Sequence, residues 1–193
     1  MTRDEAYKFL TDNVKNKNLL KHHLAAEAVM TVLAKYFNSK RKEEDPVLNE
    51  NDWAIVGLLH DADYEQTREN PKKHAVLLSE KLAGKLDETL IHAILAHNKD
   101  YTKVEPSSLL DWSLYCSDEL TGLIVAAALI HPDKKLSSLT VEFILNRFSE
   151  KSFAKGANRK QIKMCEEKLE IPVNEFIDLS LRAMQSISLQ LEL

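Results

Sequence analysis

Apolar residues recur three and four positions apart along most of the chain, the spacing that lines one face of an α-helix. The pattern predicts a short amphipathic helix over residues 3–14 and a longer one over 19–37, ending near Asn38 and Ser39. The charged stretch KRKEEDPVLNEND, interrupted by Pro46, reads as a solvated loop. Asn51 or Asp52 then caps a helix beginning at Trp53, because their short side-chain oxygens accept hydrogen bonds from free backbone amides. That helix delivers His60 and Asp61 at its C-terminal end. Two polar loops, DYEQTRENPKK and NKDYTKVEPSS, flank helices over 73–84 and 87–97. A long apolar helix near 108–130 stops at His131 and Pro132, since proline disfavours helical geometry in the residue before it. Helical patterns near 137–149, 159–169 and 173–191 read as a cap or appendage, the last presenting Phe176, Ile177, Leu181 and Met184 for packing on its own core or on another subunit.

Only 4 Gly and 5 Pro leave long uninterrupted segments rich in Leu, Ala, Lys and Glu, so the expected class is all-α. With 44% hydrophobic and 29% charged residues, the 193-residue chain has the balance of one domain spanning 1–193, with a core over about 18–130 and a helical extension over about 131–193. A net charge of -4 offers no general attraction to a polyanion, and bulk nucleic acid is not an expected partner. Cys116 and Cys165 lie far apart without CxxC spacing, so neither a zinc-thiolate site nor a disulfide framework is indicated. MTRDEAYKFLTDNV lacks the continuous apolar core of a signal peptide, and no segment is expected to reach the roughly 20 apolar residues that span a bilayer. The expected location is the cytoplasm, with no membrane partner.

Histidines and aspartates carry the candidate chemistry. His22 shares a helical face with Ala26, Val29 and Leu33, which points its imidazole toward the core, whereas His23 faces elsewhere. His60 aligns with Trp53, Val56 and Gly57, and Asp61 follows one residue further round. A carboxylate beside such apolar material costs on the order of several kcal/mol to desolvate unless paired, and a divalent cation is an efficient partner. Asp118 falls in the middle of LLDWSLYCSDELTGLIVAAALI, in line with Leu114, Gly122, Val125 and Leu129, on a helix that supplies no Arg or Lys to neutralise it. Gly122 could let another backbone or a ligand come close. His97 follows Leu90, Ala93 and Ile94, and His74 precedes Leu77, Leu78 and Lys81 on the predicted helices. Taken singly, each histidine also reads as an ordinary buried or surface residue, and His92 and His131 are assigned to that class. Taken together, imidazoles and carboxylates suit Zn, Mn, Fe, Co or Ni, provided the helices turn them toward one centre.

The order H…HD…H…H…D resembles the HD-domain superfamily of metal-dependent phosphohydrolases over roughly residues 18–130. The resemblance implies a helical bundle in which His22, His60, Asp61 and Asp118 hold one metal. Members that bind two ions add two histidines, matched here by His74 and His97, with Asp61 bridging. It thus implies one or two divalent transition-metal ions, with Mg also compatible, and His22 rather than His23 as ligand from the spacing in KHHLAAEAVM. Tyr64 stands where a nucleotidase-like branch has glutamate, and the GYP signature of the branch that cleaves cyclic dinucleotides is absent, so neither substrate carries over. SFAKGANRKQI and FIDLSLRAMQ resemble the tails of a subgroup of bacterial and archaeal HD proteins.

The activity this resemblance implies is hydrolysis of a small phosphoester, a nucleotide or related metabolite, by a metal-activated water. Lys21, Arg68, Lys99 and the cluster Lys134, Lys135, Lys151, Lys155 and Arg159 are candidates for holding phosphate oxygens, and Asp63, Glu65 and Glu119 for moving protons. Each of these charged residues also reads as a solvated surface group. Two other classes share the motif order: a di-iron oxygenase of the HD type, and a noncatalytic sensor that binds a nucleotide.

Overall fold

Short polar side chains start half of the α-helices. In the computed structural model, which describes residues 1–193, Thr2 and Glu5 form a reciprocal capping box at the start of α1 (Arg3–Asn13). Asn16 caps α2 (Lys17–Lys40) by accepting from the amides of Asn18 and Leu19. Asn49, not Asn51 or Asp52, caps α3 (Glu50–Leu59), so this helix begins earlier than predicted. Beyond it come α4 (Tyr64–Thr67), a 3-10 turn at Pro71–Lys73, α5 (Val76–Leu82), α6 (Glu88–His97) and α7 (Lys99–Thr102). Ser108 and Asp111 make a second capping box at α8 (Leu109–Ile130), which ends at His131 before Pro132. A 3-10 turn at Leu136–Ser138 leads to α9 (Val141–Ser149), α10 (Arg159–Lys168), α11 (Val173–Ser186) and α12 (Ser188–Leu191). The fold is all-α, and the only β-type pairing is an isolated bridge between Ala83 and Leu86.

The differences from the predicted elements are local. The expected helix over 73–84 starts only at Val76, because His74 is extended and Ala75 adopts φ of 69°. Both predicted polar loops contain short helical turns, α4 and the 3-10 turn at Pro71–Lys73 in the first and α7 in the second. The last helix breaks at Ile187.

Packing centres on α2, which runs along α3 and also meets α8 and α11. The closest approach is at Gly57, where a Cβ would stand 2.6 Å from the carbonyl oxygen of Ala26. Ala26 lies one turn after His22 and Gly57 one turn before His60, so this backbone contact draws the two histidines together. Gly122, expected to admit a close neighbour, meets nothing within 4 Å.

The 22-residue α8 is long and apolar enough to cross a membrane by length and composition, contrary to the expectation that no segment comes close. Its apolar residues are spent on the core: 61% of the window is buried, including Leu114, Leu120 and Leu123. One apolar cluster runs from Ala6 to Leu191, and Phe176, Ile177, Leu181 and Met184 of α11 are buried within it. The C-terminal helices therefore pack on their own chain, with α10 lying along α8.

Candidate metal centre

The turn after α3 exposes His60 and Asp61 to donors from three other segments. His22 Nε2 lies 3.1 Å from His60 Nε2 and 3.1 Å from Asp118 Oδ1, which is 3.4 Å from His60 Nε2. Asp61 closes this set, with Oδ2 3.8 Å from His22 Nε2 and Oδ1 3.7 Å from His60 Nε2. The same Asp61 Oδ1 lies 3.1 Å from His74 Nε2 and 3.2 Å from His97 Nε2, and those two nitrogens are 3.2 Å apart. Two donor groups thus meet at one carboxylate: His22, His60 and Asp118 on one side, His74 and His97 on the other.

Ring orientation is fixed from behind. His60 Nδ1 donates to the carbonyl oxygen of Gly57 at 2.8 Å, and His97 Nδ1 to that of Ile94. His22 Nδ1 donates to Thr121 Oγ1 at 3.3 Å, and that hydroxyl donates in turn to the Asp118 carbonyl at 2.8 Å. His74 Nδ1 donates to Asp63 Oδ1 at 2.8 Å. A carbonyl or carboxylate only accepts, and the Thr121 hydroxyl proton is already given to the Asp118 carbonyl, so a proton sits on each Nδ1 and each Nε2 faces inward as the nitrogen that takes a proton or a metal.

Four inward-facing imidazole nitrogens packed this closely with two carboxylates need positive charge between them, as protons or as a metal, and their spacing is the fit test for a metal. Two ligands at about 2.1 Å from one ion are separated by about 3.0 Å at a right angle and about 3.4 Å at a tetrahedral angle. Most of the observed donor separations, 3.1–3.4 Å, fall between those values, with the His22–Asp61 and His60–Asp61 pairs longer at 3.8 and 3.7 Å, and the donor groups could hold a metal ion.

The electrostatics point the same way. Burial opposes protonation of His60, but Asp61 and Asp118 outweigh it and push its pKa up to about 9. Burial likewise opposes charge on His74, yet Asp61 and Asp63 raise it to about 10. Burial alone would raise Asp61, but His60, His74 and His97 hold it well below the usual carboxylate range, and His22 and His60 do the same for Asp118. Such a cluster attracts positive charge, as protons or as metal. His23 behaves differently: it is fully buried, neither ring nitrogen has a partner, and burial followed by the neighbouring His60 drives its pKa well down.

A cleft of 260 Å³ opens over the centre, lined in part by Tyr64, Lys99, Tyr101, Tyr115, Glu119 and Gln161. Burial, together with Asp118, raises the pKa of Glu119, against the amide of Asn158 that donates to its Oε2 at 3.0 Å. Of the expected phosphate-holding residues only Lys99 reaches this cleft. Lys21 is paired with Glu192 at 2.6 Å, and Arg68 borders a separate hollow beside His22 while pairing with Glu69 at 3.2 Å. Lys155 is exposed and outside the cleft wall, as are Lys134, Lys135 and Lys151.

Arg159 and two carboxylates have tasks other than those expected. The Arg159 guanidinium donates to the carbonyls of Phe148, Phe153, Ala154 and Ala157, which folds the segment leading into α10. Asp63 is fully buried, and its Oδ2 accepts from the amides of Ala75 and Leu78, each at 3.0 Å, so both oxygens are committed to positioning His74 and starting α5. Glu65 accepts from the amides of Lys15 and Asn16 and braces the link between α1 and α2. Neither is placed to carry a proton to the cleft, whereas Glu119 is. His92 pairs with Asp111 at 3.1 Å and His131 packs on Phe143, both away from the centre.

The sequence reading missed Asn158 and Gln161, through which the C-terminal extension supplies part of the cleft wall. Both lie in SFAKGANRKQI, whose resemblance assigned them no role, and their placement in the wall depends on α10 packing along α8. Protein-family models, curated proteins and solved structures offer no match to this chain.

Proposed function

We propose that this protein is a two-metal phosphohydrolase of the HD type, acting on a small phosphoester such as a nucleotide or related metabolite. The observation that carries the proposal is the sharing of Asp61: one carboxylate oxygen stands within 3.1–3.7 Å of His60, His74 and His97, while the other faces His22. Nitrogen-rich donors favour Mn, Fe, Co, Ni or Zn over Mg. Divalent cations held by these six residues would neutralise phosphate oxygens and raise the acidity of water at neutral pH.

The chain's own residues account for the rest. Asp61 and Asp118 bring two negative charges, which a pair of divalent ions overcompensates, so the loaded site attracts an anion. Thr121, Asp63 and the Gly57 and Ile94 carbonyls hold the four imidazoles in place, so that positioning costs little at the moment of reaction. Glu119, with its raised pKa and its place in the cleft wall, can hold a proton for the departing oxygen. Lys99 lies in the same wall and supplies positive charge at its rim.

A panel of phosphomonoesters and phosphodiesters, assayed with Mn, Co, Ni and Mg, tests the proposal. The expected result is turnover by the native chain and its loss, together with metal retention, in Asp61→Ala. Silence with every metal overturns it, and oxygen consumption by an iron-loaded protein would move the assignment to oxygenase chemistry.

A further inference from the structure

The cleft carries information about the part of the substrate that does not react. Beyond the metal donors its wall holds Asp100 and Glu119 against a single cation, Lys99, whose ammonium already donates to Glu105 at 2.8 Å. The basic residues that could have received additional phosphates lie elsewhere, and the one nearest in sequence, Arg159, spends its guanidinium on backbone carbonyls. A polyphosphate tail leaving the metal centre would meet the Asp100 carboxylate and no unpaired cation. Like charge on the cleft wall works against binding.

The uncharged part of the wall is polar and oriented. Gln161 is buried and donates its amide to the carbonyl of Tyr115 at 2.7 Å, which leaves its Oε1 as an acceptor toward the cleft. Asn158 spends its Oδ1 on the first amides of α10, which leaves Nδ2 as a donor. An acceptor beside a donor, with the carboxylates of Asp100 and Glu119 near, suits hydroxyl groups, because a hydroxyl both donates and accepts. The 260 Å³ of space admits one phosphate and a leaving group about the size of a sugar.

We propose that the cleft selects substrates bearing a single phosphate on a hydroxyl-rich, sugar-type leaving group, and discriminates against the di- and triphosphates of the same compound. This rests on the phosphohydrolase reading for turnover, but its recognition part stands on the wall residues alone. Asp100 sets the charge limit, and Gln161 and Asn158 receive the hydroxyls.

The test uses the full chain loaded with Mn, and AMP, ADP, ATP and ribose 5-phosphate as probes, with calorimetric binding of non-hydrolysable phosphonate analogues of AMP and ADP as a second readout. The expected result is a preference of about tenfold or more for the monophosphate in kcat/KM and in affinity. Asp100 is exposed, so Asp100→Lys preserves the fold, and it should narrow that preference by raising ADP use relative to AMP. Equal or better handling of ADP, no binding of either analogue, or an unchanged ratio in Asp100→Lys overturns the proposal. Selective binding of the AMP analogue without hydrolysis of any probe supports it while removing the hydrolase reading, and hydrolysis without selectivity does the reverse.

Discussion

Asp63 Oδ1 accepts from His74 Nδ1 at 2.8 Å while its Oδ2 takes the amides of Ala75 and Leu78. One buried carboxylate thus sets the direction of a metal-facing imidazole and the start of the next helix. The positive φ of Ala75 is the backbone price of that geometry, since it turns the chain sharply between His74 and α5.

Asp63→Asn should therefore act on the centre at a distance. The amide keeps the shape but offers one acceptor in place of two, at a cost of about 2–3 kcal/mol in stability. Affinity at the His74–His97 side should fall about 10–100-fold, as for other residues that orient a ligand. Urea denaturation and Mn titration check the two effects, and unchanged metal stoichiometry at limiting Mn would contradict the assigned role.

Gly57→Ala tests the contact that brings His22 to His60. The added methyl would lie 2.6 Å from the Ala26 carbonyl oxygen, where backbone rather than a flexible side chain must yield. The expected loss is about 1–3 kcal/mol. Metal binding that needs His22 should weaken before binding through His74 and His97 does, which titration with a spectroscopically visible ion such as Co can distinguish.

Much of this arrangement was legible in the sequence. His22, His60, His97 and Asp118 sit on or at the ends of helices whose apolar stripes aimed them inward, but it was their order in the chain that singled them out, since periodicity read His23 as facing elsewhere and it is fully buried. His74 could be recognised by its order in the chain but not by its conformation, because the carboxylate that shapes its turn lies eleven residues earlier. Asp63, Glu65 and Arg159 looked like solvated charges or reactive groups, since their partners are backbone amides and carbonyls that no sequence motif marks. Gly57 and Gly122 read alike on their helices, and only the packing of α2 on α3 separates the crowded one from the open one.

The metal-free protein should show a distinct pH response. His60 at about 9 and His74 at about 10 exceed the roughly 6.5 of an unfolded imidazole. Their protonation therefore stabilises the fold fully below about pH 6.5, and the contribution is lost as pH rises through about 9 to 10. A divalent ion must displace these protons, so Mn affinity should rise with pH, by up to about tenfold per unit for each proton displaced. Melting curves of chelated protein and Mn titrations between about pH 6 and 9 check both slopes.

Glu119→Gln isolates the proton carrier. The amide oxygen can still accept from the Asn158 amide, so fold and metal content should persist. Turnover should fall about 100-fold with little change in KM, and the limb of the pH profile that reports an ionising acid should disappear. Equal activity in the two proteins would assign proton transfer elsewhere.

Anomalous scattering from crystals of the Mn-loaded chain tests the central claim most directly. The account predicts two ions, one contacting His22, His60 and Asp118 and the other His74 and His97, with Asp61 bonded to both. Ions bound elsewhere, or an Asp61 carboxylate free of metal in a fully loaded crystal, would contradict it.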